Sequence, residues 1–308
     1  MSAPLSVLKP VSIIDAMLIS STAPETDYTA WSAATTYALA QRCISVTTHR
    51  IYESAQGGNL NRDPTNINNR VGTTTLWWID AGPTNKWAMF DSVVSTQTII
   101  ASPLTVVLRP RFFNSLYLGG LDAENVAITI KDAPLGTVIY SYSGALENSL
   151  PGDYYEYLFS PFNPQADLLL SGLPPYNNAE ITITLTKASG NVKCGIAALG
   201  DLFPLGTAEF GIKAKPKTYS YIKLNDYGDQ EIKRRASAKD MSLTATCLLA
   251  EANGIIDVVT SLLDVPCVWA ANDIAEYSGA RAFGLGSIEI TYSNAVQCEV
   301  SINVQGFK

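Results

Sequence analysis

Residues 179–187 read AEITITLTK, where Ile181, Ile183 and Leu185 alternate with Thr182, Thr184 and Thr186. Period-two alternation sends successive side chains to opposite faces of an extended chain, so this stretch predicts a strand with one apolar and one polar face. The residues on either side supply its ends. SGLPPYNN (171–178) precedes it and KASGN (187–191) follows, both rich in the Gly, Pro and Asn that favour turns.

The same rhythm repeats outward. SLYLGGL (115–121), VAITIKD (126–132), TVIYSYS (137–143), YYEYLFS (154–160) and DLLLSGL (167–173) are short and rich in Val, Ile, Leu, Tyr and Thr, with DAPLG and SPFNP between them. Strands at this spacing with such punctuation predict a β-sandwich or jelly roll over residues 83–205.

After Gly206 the pattern changes. KTYSYIKL and QEIKRRASAKDMSLTATCLL flank NDYGD, which predicts a long hairpin. EANGIIDVVTSLL (251–263) places Ile255, Ile256, Val259, Leu262 and Leu263 at helical spacing, with Asn253 as its expected cap and Pro266 as its stop. VPCVWAA, ARAFGLGSIEITYS and AVQCEVSINVQGF read as three more strands. Residues 206–308 are therefore expected to form an α+β domain with one helix.

The N-terminal part is different again. Residues 1–27 read as a connector with a short strand around Val11 to Ile14. Residues 28–82 carry Trp31, Tyr37, Tyr52, Trp77 and Trp78 around a Gly-, Asn- and Thr-rich middle, with RCISV and RIYES forming a small hairpin across TTH. With few aliphatic residues, aromatic rings must supply much of its core. Adjacent Trp77 and Trp78 point opposite ways, so one is expected in the core and the other outside. The fold class expected for the whole chain is mainly β.

Composition narrows the chemistry. The chain has 308 residues, 47% hydrophobic and 16% charged, with a net charge of -7. Low charge over a large surface suits surface that partners cover. The net charge argues against nucleic acid as a partner. Residues 213–239 depart from it: Lys213, Lys215, Lys217, Lys223, Lys233, Arg234, Arg235 and Lys239 stand there against three acids, a local +5 that leaves -12 elsewhere. This predicts either a solvated hairpin or an assembly arm for an acidic neighbour, with Lys223, Lys233, Arg234 and Arg235 its candidate contacts.

Five scattered cysteines without a CxxC pair read as buried free thiols of a protein folded in a reducing cytoplasm. No stretch approaches the roughly 18 apolar residues of a membrane span, and the first twenty residues do not read as a secretory signal.

A catalytic set is not apparent. His49 is the chain's one histidine and reads as a turn or surface residue. No metal-ligand spacing, phosphate loop or nucleophile elbow occurs. Glycosidases need only two carboxylates, and Asp122 with Glu124, or Glu147, Asp153 and Glu156 among tyrosines, are the residues to weigh. The expectation is no enzyme, no cofactor and no metal.

WSAATTYALAQRCISVTTHRIYES, RDPT and LWWIDAG place Trp31, Tyr37, Tyr52, Pro64 and Trp78 in the order shown by small carbohydrate-binding modules of the chitin-binding type, which this segment resembles. ALAQRCI (38–44) stands where those modules have a Gly-Asp step. The resemblance implies glycan binding by Trp31, Tyr37, Tyr52, Trp77 and Trp78.

The wider chain is similar to a family of tailed-phage virion proteins in which such a module precedes a β-rich body. AMLISSTAPETDYTAWSAATTYALAQR, PTNKWAMFD, VKCGIAALG and GTAEFGIKAKPKTYSYI carry that likeness. It implies a virion structural protein at the tail tip, baseplate or fibre-attachment hub, assembled in the host cytoplasm. It also implies a homo-oligomeric ring contacting other phage tail proteins, with host surface glycan as a further partner, and a tail-tube-like C-terminal domain. A receptor-recognition protein that binds carbohydrate without an assembly role is the alternative.

Overall fold

The computed structural model describes residues 4–147, 153–159, 164–209, 211–224, 228–235, 237–272 and 275–307. The protein is mainly β, as expected. Its described strands lie in six sheets, of which two large ones build the body.

Glu180–Thr186 sits at the centre of a five-stranded antiparallel sheet. The order is Val138–Ala145, Asn125–Lys131, Glu180–Thr186, Leu104–Leu108, Leu18–Ser21. The alternation is realised as read: Ile181, Ile183 and Leu185 are buried, while Thr182 and Thr184 face outward beside Thr105, Thr129 and Ala127. The inner face packs on Leu116, Leu118, Leu168, Ala197 and Leu199 of the second sheet, closing an aliphatic core.

That second sheet has nine strands, ordered Asp167–Leu170, Ser115–Gly119, Ile196–Ala208, Pro4–Pro10, Cys267–Ala270, Arg281–Thr291, Gln297–Gly306, Ser237–Leu248, Lys213–Thr218. Its fourth strand is Pro4–Pro10, which runs from Pro4↔Thr207 to Pro10↔Gly200 against one neighbour and pairs with Cys267–Ala270 on the other. The strand expected around Val11 to Ile14 is therefore displaced: those residues lie in no strand. PLSVLKP is covered on both faces, so it lacks the one-sided alternation that marks a surface strand. The prolines close its two ends, where a missing N–H is tolerated.

The expected division at 205/206 falls inside Ile196–Ala208. The first half of this strand belongs to the sandwich. At its end Thr207↔Thr246 and Ala208↔Ala245 join it to Ser237–Leu248. Gly206 makes the join with φ 125°; a side chain there would press on the carbonyl of Thr246.

The three strands expected after the helix are present, as Cys267–Ala270, Arg281–Thr291 and Gln297–Gly306. Gly286 lies against the indole of Trp269, where a Cβ would stand 2.2 Å from the ring, so its glycine admits a buried tryptophan. The helix is Leu249–Thr260, and it covers this part of the sheet with Ala252, Ile255 and Val259. It begins earlier than Asn253, which lies in its second turn. Glu251 performs the capping by accepting the Leu248 N–H at 3.3 Å.

A second, six-residue helix, Tyr154–Phe159, replaces the strand expected over YYEYLFS. In so short an aromatic run neither period decides. The helix brings Tyr155 against Phe159, ring centroids 4.8 Å apart and planes tilted by 39°, at the i,i+4 spacing. The adjoining turn SPFNP lies outside the described residues except for Pro164. Among the described residues no helix is long and apolar enough to cross a membrane.

Candidate functional site

Two places carry the residues singled out by sequence: the small N-terminal module and the hairpin that begins at Lys213. The module folds around the three-stranded sheet Arg42–Ser45, Arg50–Ser54, Trp78–Pro83, whose first two strands are the expected hairpin. Its core is Tyr37, Cys43, Tyr52 and Trp78. Trp78 is wholly buried, meets the Tyr37 ring edge-on at 5.0 Å, and donates its indole N–H to the Arg62 carbonyl at 2.7 Å. The Tyr37 hydroxyl accepts the Ser32 N–H at 2.8 Å, and burial raises its pKa.

These contacts correct the candidate glycan set. Tyr37, Tyr52 and Trp78 present no ring face to a ligand, because the small module spends them on its own interior. Trp77, expected to point away from Trp78, is instead half-buried and packs against the same core, with the Arg62 guanidinium 4.9 Å over its ring. Trp31 is the aromatic that remains beside open space. It lines a cleft of about 240 Å³ with Ser45, Asp63, Pro64 and Thr65, and its indole Nε1 is buried without a hydrogen-bond partner.

The Gly-, Asn- and Thr-rich middle is held by side-chain amides. Asn59 donates to Ser54 Oγ at 2.9 Å and to the Trp77 carbonyl at 3.2 Å; Gln56 donates to the Leu76 carbonyl at 2.7 Å. Such bonds replace the aliphatic packing that the segment lacks.

His49 closes the module onto the body. It sits in the hairpin turn with φ 54°, and its ring stacks on Trp87 at 4.2 Å. Nδ1 lies 2.8 Å from Glu25 Oε1 and Nε2 lies 2.7 Å from Asp15 Oδ1. The turn position was legible in the sequence, whereas the ring is tucked into the junction rather than exposed. The two carboxylates are remote in sequence and no local signal announces them.

The hairpin is bent into two paired segments. Lys213–Thr218 pairs with Ser237–Leu248, and Tyr221–Leu224 pairs with Gln230–Lys233. Part of the NDYGD turn lies outside the described residues. Every described residue of the outer pair is exposed, including Tyr221, Ile222, Leu224 and Ile232. Lys223 and Arg234 project there with Lys233, which pairs with Glu231, and Arg235, which lies 4.9 Å over the Tyr221 ring. Lys239 does not belong to this exposed set. It is partly buried, its ammonium donates to the Ser278 carbonyl at 3.2 Å, and burial lowers its pKa.

The carboxylates considered for glycosidase chemistry have other contacts. Asp122 is paired with Lys187 at 2.5 Å and Lys193 at 3.3 Å, and the Lys187 hydrogen bond lowers its pKa. Glu124 accepts the Ala188 N–H at 3.0 Å. Glu147 and Asp153 are exposed; the side chain of Glu156 lies outside the described residues.

A scan against protein-family models and a search of the curated proteins both return no match for this chain.

Proposed function

We propose that this protein is a structural component of a tailed-phage virion, part of the tail tip, baseplate or fibre-attachment hub, and not an enzyme. In this reading it assembles with copies of itself in a ring and with other tail proteins. The observation that carries the assembly role is the outer hairpin pair, whose apolar residues Tyr221, Ile222, Leu224 and Ile232 stand in solvent among cations. A monomer gains nothing by exposing them together on an arm, whereas a partner with an acidic surface covers both kinds of residue. The rest of this chain carries that acidic charge. The resemblance of the sequence to virion proteins supplies the biological setting.

The test is electron microscopy of phage particles labelled with antibody against the chain. Label at the tail end is the expected result; particles that never carry the chain sink the proposal.

A second reading, a carbohydrate-binding receptor-recognition protein, rests on the Trp31 cleft. Trp31→Ala then abolishes retention on a glycan array while the melting temperature stays near that of the parent. Binding that survives the substitution removes Trp31 from the site.

A further inference from the structure

A sheet edge is a row of unpaired N–H and C=O groups that other strands can extend, and proteins guard such edges with lysine, proline, bulges or brevity. Three edges of the two large sheets are guarded. Lys213–Thr218 carries three lysines and Pro216. Asp167–Leu170 is four residues long. Leu18–Ser21 is equally short, with an irregular register between Leu18 and Ser20.

The fourth edge, Val138–Ala145, is eight residues long, VIYSYSGA, with no charge and no proline. One side pairs with Asn125–Lys131; among the described residues nothing pairs with the other. Just beyond its end in the chain comes the helix Tyr154–Phe159, whose Tyr154, Tyr155, Leu158 and Phe159 are each more than half exposed.

We propose that the Val138–Ala145 edge pairs with the same edge of a second copy, so that two five-stranded sheets continue into one. This names a second contact for the self-assembly described above, and so rests on that reading. Three observations favour a copy over a foreign strand. An uncharged strand lying antiparallel to itself brings no like charges into register, although each whole chain carries -7. A two-fold axis makes the edge its own complement, with each backbone donor meeting an equivalent acceptor. The helix that follows in the chain leaves four large side chains exposed, apolar area of the kind that an interface between copies covers.

The experiment is sedimentation of the full chain over a concentration series reaching about 100 µM, beside three variants. Ser141→Lys with Ser143→Lys puts cations on two exposed positions of the edge; Ser141→Thr with Ser143→Thr keeps them small and uncharged. The third, Ile222→Lys with Ile232→Lys, alters the hairpin arm alone. Unchanged melting and far-ultraviolet spectra establish that each variant is folded.

The expected result is association by the parent and the threonine pair, with the edge lysine pair at least about ten-fold weaker. Association unaffected by the edge lysines but lost on changing the arm overturns the edge contact and leaves the arm standing. A parent that stays monomeric throughout overturns the edge contact too, while particle labelling still decides the virion reading.

Discussion

The module of residues 28–82 and the sandwich beside it are both antiparallel β, but they are held by opposite means. The sandwich closes on a largely aliphatic interior from two sheets, with Ile128, Ile130, Ile181, Ile183 and Leu185 in one layer. The module closes on Tyr37, Cys43, Tyr52 and Trp78, with amide side chains bonding its loops. Many modest contributions tolerate the loss of one. A core of four residues does not, because each ring is a large share of the apolar area that a small domain can bury.

The largest expected effect follows from that contrast. Trp78→Ala removes about 3–5 kcal/mol and leaves the Arg62 carbonyl without its indole donor. Hydrogen exchange then shows protection lost across residues 31–83 and kept in Glu180–Thr186. Uniform loss over both regions breaks the comparison, since it makes module and body one cooperative unit.

Leu185→Ala in the sandwich is expected to cost about 2–5 kcal/mol, lowering the melting temperature with the sheet still native by spectroscopy. A body that fails to fold with this single cavity contradicts the tolerance assigned to it.

The cysteines sharpen the comparison further, because they are distributed between the regions. All five are free and buried. Burial pushes the thiols of Cys43 in the module, Cys194 in the sandwich and Cys267 in the C-terminal core from the ordinary 9 up to about 12. A folded-state pKa above the unfolded one means that unfolding releases protons. The stability these thiols contribute is therefore whole below pH 9 and falls as pH climbs towards 12. Melting temperature measured from pH 8 to 11 is expected to drop. Thiol labelling along a denaturant series is expected to reach Cys43 before Cys194 and Cys267; simultaneous reaction argues against a separately stable module.

The smallest effect belongs to Trp77→Ala. Its half-buried ring packs on the margin of the four-residue core under Arg62, so the loss in denaturant stability is expected to be about 1–2 kcal/mol, below that for Trp78. A loss as large as that for Trp78 would mean that the module's interior extends to both tryptophans.

Legibility in the sequence follows local periodicity. Glu180–Thr186 and the helix over Ile255 and Val259 announce themselves because each has one face in the core and the other turned outward, and the hairpin of Arg42–Ser45 with Arg50–Ser54 because two short strand-forming runs flank a turn. Pro4–Pro10 does not, being paired on one side with Gly200 to Thr207 and on the other with Val268 to Ala270, both far along the chain. The site divides in the same way. That one of two adjacent tryptophans is core follows from the alternation of side chains. That Trp78 is the core member, with Tyr37 and Tyr52 beside it, depends on which strands surround it.

The sequence by itself determined the β class, the composition of the module's core, the free thiols and the basic hairpin, because each is a property of neighbouring residues or of residue type. Only the tertiary structure decided that the N-terminal segment joins the sandwich to the C-terminal half in one nine-stranded sheet. It also decided that His49 stacks at the module's junction and that one long uncharged strand is left at an edge. Those outcomes depend on pairings between distant parts of the chain, and strand pairing is set by backbone hydrogen bonds that every residue type except proline can make. Side-chain pattern therefore marks where strands lie, and the packing of the whole selects their neighbours.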